Sequence, residues 1–220
     1  MEEPFIFSLL LIIGIDLLLG GDNAIIIALA CRNLPEEQRK KGILFGTLLA
    51  ICCRILLTTL AVHLLKIPFL EFAGGVLLLF IASSLLTRKG EEHTSIKSHH
   101  SLRKAIQTIV LADLFMGLDN VIAVAGAAGG NVLLVVIGLV ISIPVIILGS
   151  KFMISAMSRF PALIYAGGAI LAFTAGRMMV ADDIIGSFFG HGALQQGLPY
   201  LTSLLILFYA LLCNMAKKTT

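Results

Sequence analysis

Charge is what this chain has least of. Only 13% of its 220 residues are Asp, Glu, Lys or Arg, against 58% hydrophobic, and the mean hydropathy is +1.01. That scarcity excludes a water-soluble domain, which carries about a quarter of its residues as charged side chains. A secretory leader is missing too. The start, Met1-Glu2-Glu3-Pro4, is acidic and offers neither a positive n-region nor a small-residue cleavage site, so the first apolar run is expected to stay as a membrane helix. The four cysteines, Cys31, Cys52, Cys53 and Cys213, form no C-x-x-C pair and read as ordinary thiols rather than a redox or metal site. No basic patch is studded with aromatics, so the net charge of +3 is no argument for a nucleic-acid partner.

What fills the chain instead is apolar runs of membrane length. A helix crosses about 30 Å of hydrocarbon with roughly 20 apolar residues. Such segments occur at Phe5 to Cys31, Gly42 to Leu65, Phe69 to Thr87, Ala105 to Ala128, Val132 to Met153, Ala162 to Ala181 and Pro199 to Met215. The expected fold is therefore all-α: a polytopic membrane protein of seven transmembrane helices, with the lipid bilayer as its solvent. All but Arg54, Lys66 and Arg177 of the 16 Lys and Arg lie in four stretches, Arg32 to Lys41, Arg88 to Lys104, Lys151 with Arg159, and Lys217 with Lys218. Seven crossings put all four on one side, so the positive-inside rule sets the N-terminus outside and the C-terminus in the cytoplasm of a cell membrane.

Two phrases occur twice. Asp16-Leu-Leu-Leu-Gly20-Gly21-Asp22-Asn23 returns as Asp113-Leu-Phe-Met-Gly117-Leu118-Asp119-Asn120. Pro68-x-Leu70-x-Phe72-Ala73-Gly74-Gly75 returns as Pro161-x-Leu163-x-Tyr165-Ala166-Gly167-Gly168 at nearly the same spacing. Helices 1 to 3 thus match helices 4 to 6. An odd number of crossings per copy makes the second enter from the opposite face, the inverted 3+3 plan of secondary transporters, with helix 7 as an accessory. The expected division is 1–87 for the first repeat, 88–104 for a cytoplasmic linker, 105–181 for the second repeat, and 182–220 for an outer loop and helix 7.

The repeated phrases place four carboxylates in apolar helices. Each costs several kcal/mol to insert, so intramembrane acids mark an ion pathway by default. On a straight helix Asp16 and Asn23 share a face and Asp22 does not. Gly20 and Gly21 resolve this if the helix breaks there and restarts at Asp22 or Asn23; Gly117 can break the second copy, though Leu118 replaces the second glycine. Carboxylate, amide and carbonyl oxygens suit hard divalent cations, and no His or Cys sits beside them. Met116 could add a thioether, with packing the simpler reading. Arg54 and Arg177 also fall inside helices and need partners: a site aspartate for Arg54, which could release it when a cation binds, and Asp182 or Asp183 for Arg177.

Asp-x-x-x-Gly-x-Asp-Asn in duplicate, with Ala-x-Arg-Asn-Leu-Pro after the first copy and Arg54 in the second helix, resembles the TerC family of integral membrane proteins, in its YjbE-like branch. The resemblance covers nearly the whole chain. It implies manganese export, with Mn²⁺ as substrate and no tightly bound cofactor, and metal binding at Asp16, Asp22, Asn23, Asp113, Asp119 and Asn120. A proton gradient could drive efflux if protonation of the clustered acids matches departure of the cation. The competing class is an intramembrane aspartyl protease. Its Gly-x-Gly-Asp spelling is absent, and a dyad leaves the other acids and the two asparagines unexplained.

Overall fold

The computed structural model describes residues 5–19, 21–64, 69–87, 98–129, 131–182, 184–186 and 193–216. Among these residues every regular element is helical: α1 (Phe5–Leu19), α2 (Gly21–Cys31), α3 (Glu36–Leu64), α4 (Leu70–Thr87), α5 (Ser98–Ala128), α6 (Val132–Arg159), α7 (Ala162–Ala181) and α8 (Ala193–Ala216). Five of them, α3, α4, α6, α7 and α8, are long and apolar enough to cross a membrane, and α1 with α2 makes a sixth span if the bent pair is one crossing. In hydrocarbon each span satisfies its own backbone donors and acceptors, which is why apolar runs of this length become helices.

Local chemistry explains the breaks. The first apolar run divides at its glycine pair, and α1 and α2 meet at an angle of 46°. The helix α5 ends where Gly129 turns to φ +55°, a conformation glycine adopts without a Cβ penalty. Asn131 then caps α6, its Oδ1 accepting from Leu133 N at 3.1 Å and Leu134 N at 3.3 Å. The expected break at Gly117 is not formed, since α5 is one uninterrupted helix from Ser98 to Ala128. A single interior glycine costs a helix only about 1 kcal/mol, and Leu118 beside it is a strong helix former, so the second copy stays regular.

The chain forms two compact units, and each takes helices from both halves of the sequence. One contains α1, α2, α3, α5 and most of α6. Its apolar centre joins Ile12 of α1, Ile51 of α3, Val124 and Ala128 of α5, and Leu134, Val135 and Leu139 of α6. Glycines allow close approach: a Cβ on Gly46 of α3 would meet Ile109 of α5 at 2.6 Å, and one on Gly138 of α6 would meet Ile12 of α1 at 2.5 Å.

The other unit contains α4, α7 and α8. Gly75 of α4 rests against α7 at Ala175 and Met179, and Gly168 of α7 rests against Leu86 of α4. The helix α8 is fastened to α7 by polar contacts: Thr202 and Ser203 donate to the carbonyls of Ala172 (2.8 Å) and Ala169 (3.0 Å), and Asn214 Nδ2 donates to Tyr165 Oη (3.1 Å). Its other face, from Tyr200 to Met215, is largely exposed and apolar, as a lipid-facing helix should be.

These contacts set a stability test. A Cβ at Gly75 would lie 2.6 Å from the Ala175 carbonyl oxygen, a backbone atom that cannot yield, so Gly75→Ala is expected to destabilise by about 1–3 kcal/mol. Gly197→Ala, with open space around it, should leave the melting temperature in detergent level or slightly higher. Equal melting of the two variants would contradict the close α4–α7 contact.

Candidate cation site

The site lies wholly inside the unit built from α1, α2, α3, α5 and α6. Its centre is Arg54 of α3, one of the most deeply buried large side chains, 2% exposed. One guanidinium nitrogen donates to Asp16 Oδ1 of α1 and the other to Asp113 Oδ1 of α5. Both carboxylates are themselves buried. The two acids are the first letters of the two copies of the repeated phrase, so the duplication brings one carboxylate from each half onto a single cation. Gly117, a turn beyond Asp113, lies beside it: a Cβ there would make an ordinary contact with Arg54 Nε at 3.7 Å.

Energetics make this triad a commitment. Each ion would cost several kcal/mol to bury alone, and only mutual attraction with good hydrogen bonds offsets that. The pairing is incomplete, however. Asp16 Oδ2, Asp113 Oδ2 and Arg54 Nε are buried with no hydrogen-bond partner among the described residues, as are Asp22 Oδ1, both amide atoms of Asn23 and the hydroxyl of Thr47. Native interiors leave few such groups, and a cluster of them calls for an explanation. Asn23, Thr47, Arg54 and Asp113 line one cavity, about 320 Å³ of empty space including its open mouth, whose other walls are apolar and include Ile26, Ile51, Ile109 and Ile146.

Asp22 is half-buried in the first turn of α2, where free N–H groups at the helix start favour a carboxylate, and it feels the charges of both Arg54 and Asp113. If the three described acids are ionised, the site with Arg54 carries a formal charge of −2, the charge one divalent cation would cancel. The unpartnered oxygens are all hard donors of carboxylate, amide and hydroxyl type, which fit such an ion. Among the described residues no three of His, Cys, Asp and Glu already converge as a metal centre, because a guanidinium stands between the two buried carboxylates.

The remaining expected residues divide as follows. Asn120 is buried on α5, two turns beyond Asp113 and on the same face. Met116 is buried, and it is not one of the cavity-lining residues. Gly21 opens α2, and a Cβ added there would meet open space. Gly20, Asp183 and the side chain of Asp119 lie outside the described residues. Arg177 belongs to the other compact unit, inside the candidate span Ala162–Ala181, and its side chain is exposed on the surface of that unit. It sits a turn from the end of α7, where a long side chain can reach the membrane surface. Its expected partner Asp182 is used otherwise. Asp182 Oδ1 caps the next turn at Ile184 N (3.2 Å) and Ile185 N (3.3 Å), and Oδ2 accepts from Phe72 N of α4 (3.4 Å). Thr47 is the lining residue that the sequence reading passed over; its signal was its place two turns before Arg54 on the same face of α3.

The triad gives a sharp expectation for stability. Arg54→Met should destabilise by about 3–5 kcal/mol, because it leaves two buried carboxylates without a counter-charge. Adding Asp16→Asn and Asp113→Asn should recover most of the loss, and thermal unfolding in detergent reads both. A single variant as stable as the parent would mean that the three groups are not coupled.

Comparison with known proteins identifies the family of the chain. The profile described as "Integral membrane protein TerC family" matches residues 1–220. The uncharacterized membrane protein YjbE of Bacillus subtilis (strain 168) is 51% identical over 219 residues, covering 99% of this chain and 100% of that protein. A second Bacillus subtilis protein, the uncharacterized membrane protein YkoY, is 25% identical, covering 75% of this chain and 57% of its own length. The UPF0053 protein YegH of Escherichia coli (strain K12) is 29% identical, with 74% of this chain matched to 35% of a longer protein. No solved structure matches the chain. A buried acid from each copy of the repeated phrase, a run of membrane-length helices and a profile match from the first residue to the last together place the chain in the TerC family of integral membrane proteins.

Proposed function

We propose that the protein is a secondary transporter that exports a divalent cation, Mn²⁺ foremost, through a midplane site of Asp16, Asp22, Asn23, Asp113, Asp119 and Asn120. The observation that carries this reading is the convergence of Asp16 and Asp113 on Arg54 inside an apolar bundle. Two carboxylates brought together at such cost are retained for use rather than for stability. In the resting protein the guanidinium offsets part of their charge. An arriving dication offers twice the charge and accepts several oxygens at once, so Arg54 yields its acids and resumes them when the ion departs. Protonation of the acids on departure couples the cycle to a proton gradient.

The route is an inverted repeat of three helices on three, with α1 and α2 as one broken span, α5 as a further span, and α8 as the seventh. Glycine contacts support that symmetry. Gly46 of α3 on Ile109 of α5 has its counterpart in Gly138 of α6 on Ile12 of α1, and Gly75 on Met179 has its counterpart in Gly168 on Leu86. Each pair exchanges the corresponding helices of the two copies, as a two-fold axis in the membrane plane requires. Basic connections on one side put the C-terminus in the cytoplasm, and the substrate leaves the cell. A protease dyad has less to recommend it, since two catalytic aspartates share a proton directly whereas here an arginine separates them.

Inside-out vesicles containing the protein should accumulate Mn²⁺ above vesicles that lack it, and Asp113→Asn or Asp22→Asn should return uptake to that background. Dissipating the pH gradient should reduce accumulation in the parent protein. Undiminished uptake by both variants would remove the reading.

A further inference from the structure

Buried hydroxyls on helices have a standard solution, which is to donate to a backbone carbonyl one turn back. Thr58 does so to Arg54 O at 2.8 Å, Ser142 to Gly138 O at 3.2 Å, Ser150 to Ile146 O at 2.7 Å, and Thr202 to Ala172 O and Pro199 O. Thr47 is the exception. It is 2% exposed, and among the described residues its hydroxyl is the one buried Ser or Thr oxygen with no partner. It borders the same cavity as Arg54 and Asp113, and across that cavity lies Asn23, whose amide oxygen and nitrogen are also buried and unpartnered. Two neutral oxygen donors thus stand beside a charged cluster in an otherwise apolar chamber.

Their position along the helices is informative. Thr47 lies about 10 Å before Arg54 along α3, toward the Glu36 end. Ile26 and Ile27 of α2 line the cavity in the direction of Arg32, and Ile109 of α5 lies a turn before Asp113, toward the Ser98 end. The chamber therefore extends from Asp113 and Arg54 toward the side of the protein bearing Arg32, Arg39, Lys40 and Lys41. An ion on that path meets the hydroxyl before the carboxylates.

We infer that Thr47 is a substrate contact: its hydroxyl oxygen, with the amide oxygen of Asn23, takes the place of hydration water on a divalent cation moving from the basic side of the membrane to Asp113 and Asp16. The inference rests on the transport reading above and assigns the approach to that site. Hydrated dications shed water stepwise, and a neutral oxygen is a fitting first substitute because it contributes coordination without holding the ion as tightly as a carboxylate.

The full chain in detergent, titrated with Mn²⁺ and read by the electron paramagnetic resonance signal of free Mn²⁺, tests this. Thr47→Val, which removes the hydroxyl and keeps the shape, should weaken binding about tenfold. Thr47→Ser should bind within about twofold of the parent, and Asp113→Asn should not bind. The melting temperature of metal-free Thr47→Val should be level or higher, because an unpartnered buried hydroxyl has been replaced by an apolar group. Unchanged Mn²⁺ affinity in Thr47→Val, with binding lost in Asp113→Asn, would overturn the inference and leave the aspartate site standing. A fall in stability that tracks the fall in affinity, shared by the serine variant, would overturn it in favour of a structural hydroxyl. Binding that ignores both Thr47→Val and Asp113→Asn would remove the transport reading as well.

Discussion

A single guanidinium between two carboxylates, out of reach of water, constrains the rest of this molecule. Arg54, Asp16 and Asp113 come from three helices that are distant in sequence, and none of the three could be buried singly at tolerable cost. Their meeting point therefore fixes how α1, α3 and α5 are arranged, and the apolar layer beside them, from Ile12 to Leu139, packs around that arrangement. The proposed function draws on the same contact as stability. A protein under selection for stability alone would gain by replacing such a cluster with well-packed hydrocarbon side chains. Its persistence, with half of each carboxylate still unpartnered, is the physical argument for an ion that completes it.

The sequence was legible wherever cost was concentrated. Acids and an arginine in apolar runs stand out because each must be explained, so Asp16, Asn23, Asp113 and Arg54 could be read before any coordinates, and a glycine pair next to Asp22 was enough to locate the break between α1 and α2. Legibility failed where one residue type serves two ends. A lone Gly117 reads as a helix break, yet the helix runs on through it. Asp182 reads as a partner for Arg177, yet it is occupied in capping the next turn. Thr47 was invisible because threonine on a membrane helix ordinarily satisfies itself against its own backbone. Only three-dimensional neighbours reveal that this one does not.

The grouping of helices was the least legible feature. A repeat of three helices suggests three-helix bodies, whereas the compact units join α1, α2, α3, α5 and α6 on one hand and α4, α7 and α8 on the other. Packing chemistry accounts for this. The charged cluster needs helices from both copies, and the glycine faces of α4 and α7 fit one another more closely than either would fit a bulky surface. Duplicated sequence and compact unit need not coincide when the shared site is made from one element of each copy.

Counting about two turns on from Gly46 reaches Arg54, and the same count from Gly138 reaches Ile146, which lines the same cavity. One half of the duplicated pattern thus contributes a permanent positive charge where the other contributes a branched hydrocarbon. Two perfectly matched halves of an inverted repeat would give conformers open to either side that are related by a two-fold rotation and equal in energy. On the transport reading proposed above, an arginine at one of two equivalent stations and an isoleucine at the other remove that equivalence, so the two conformers need not be equal in energy.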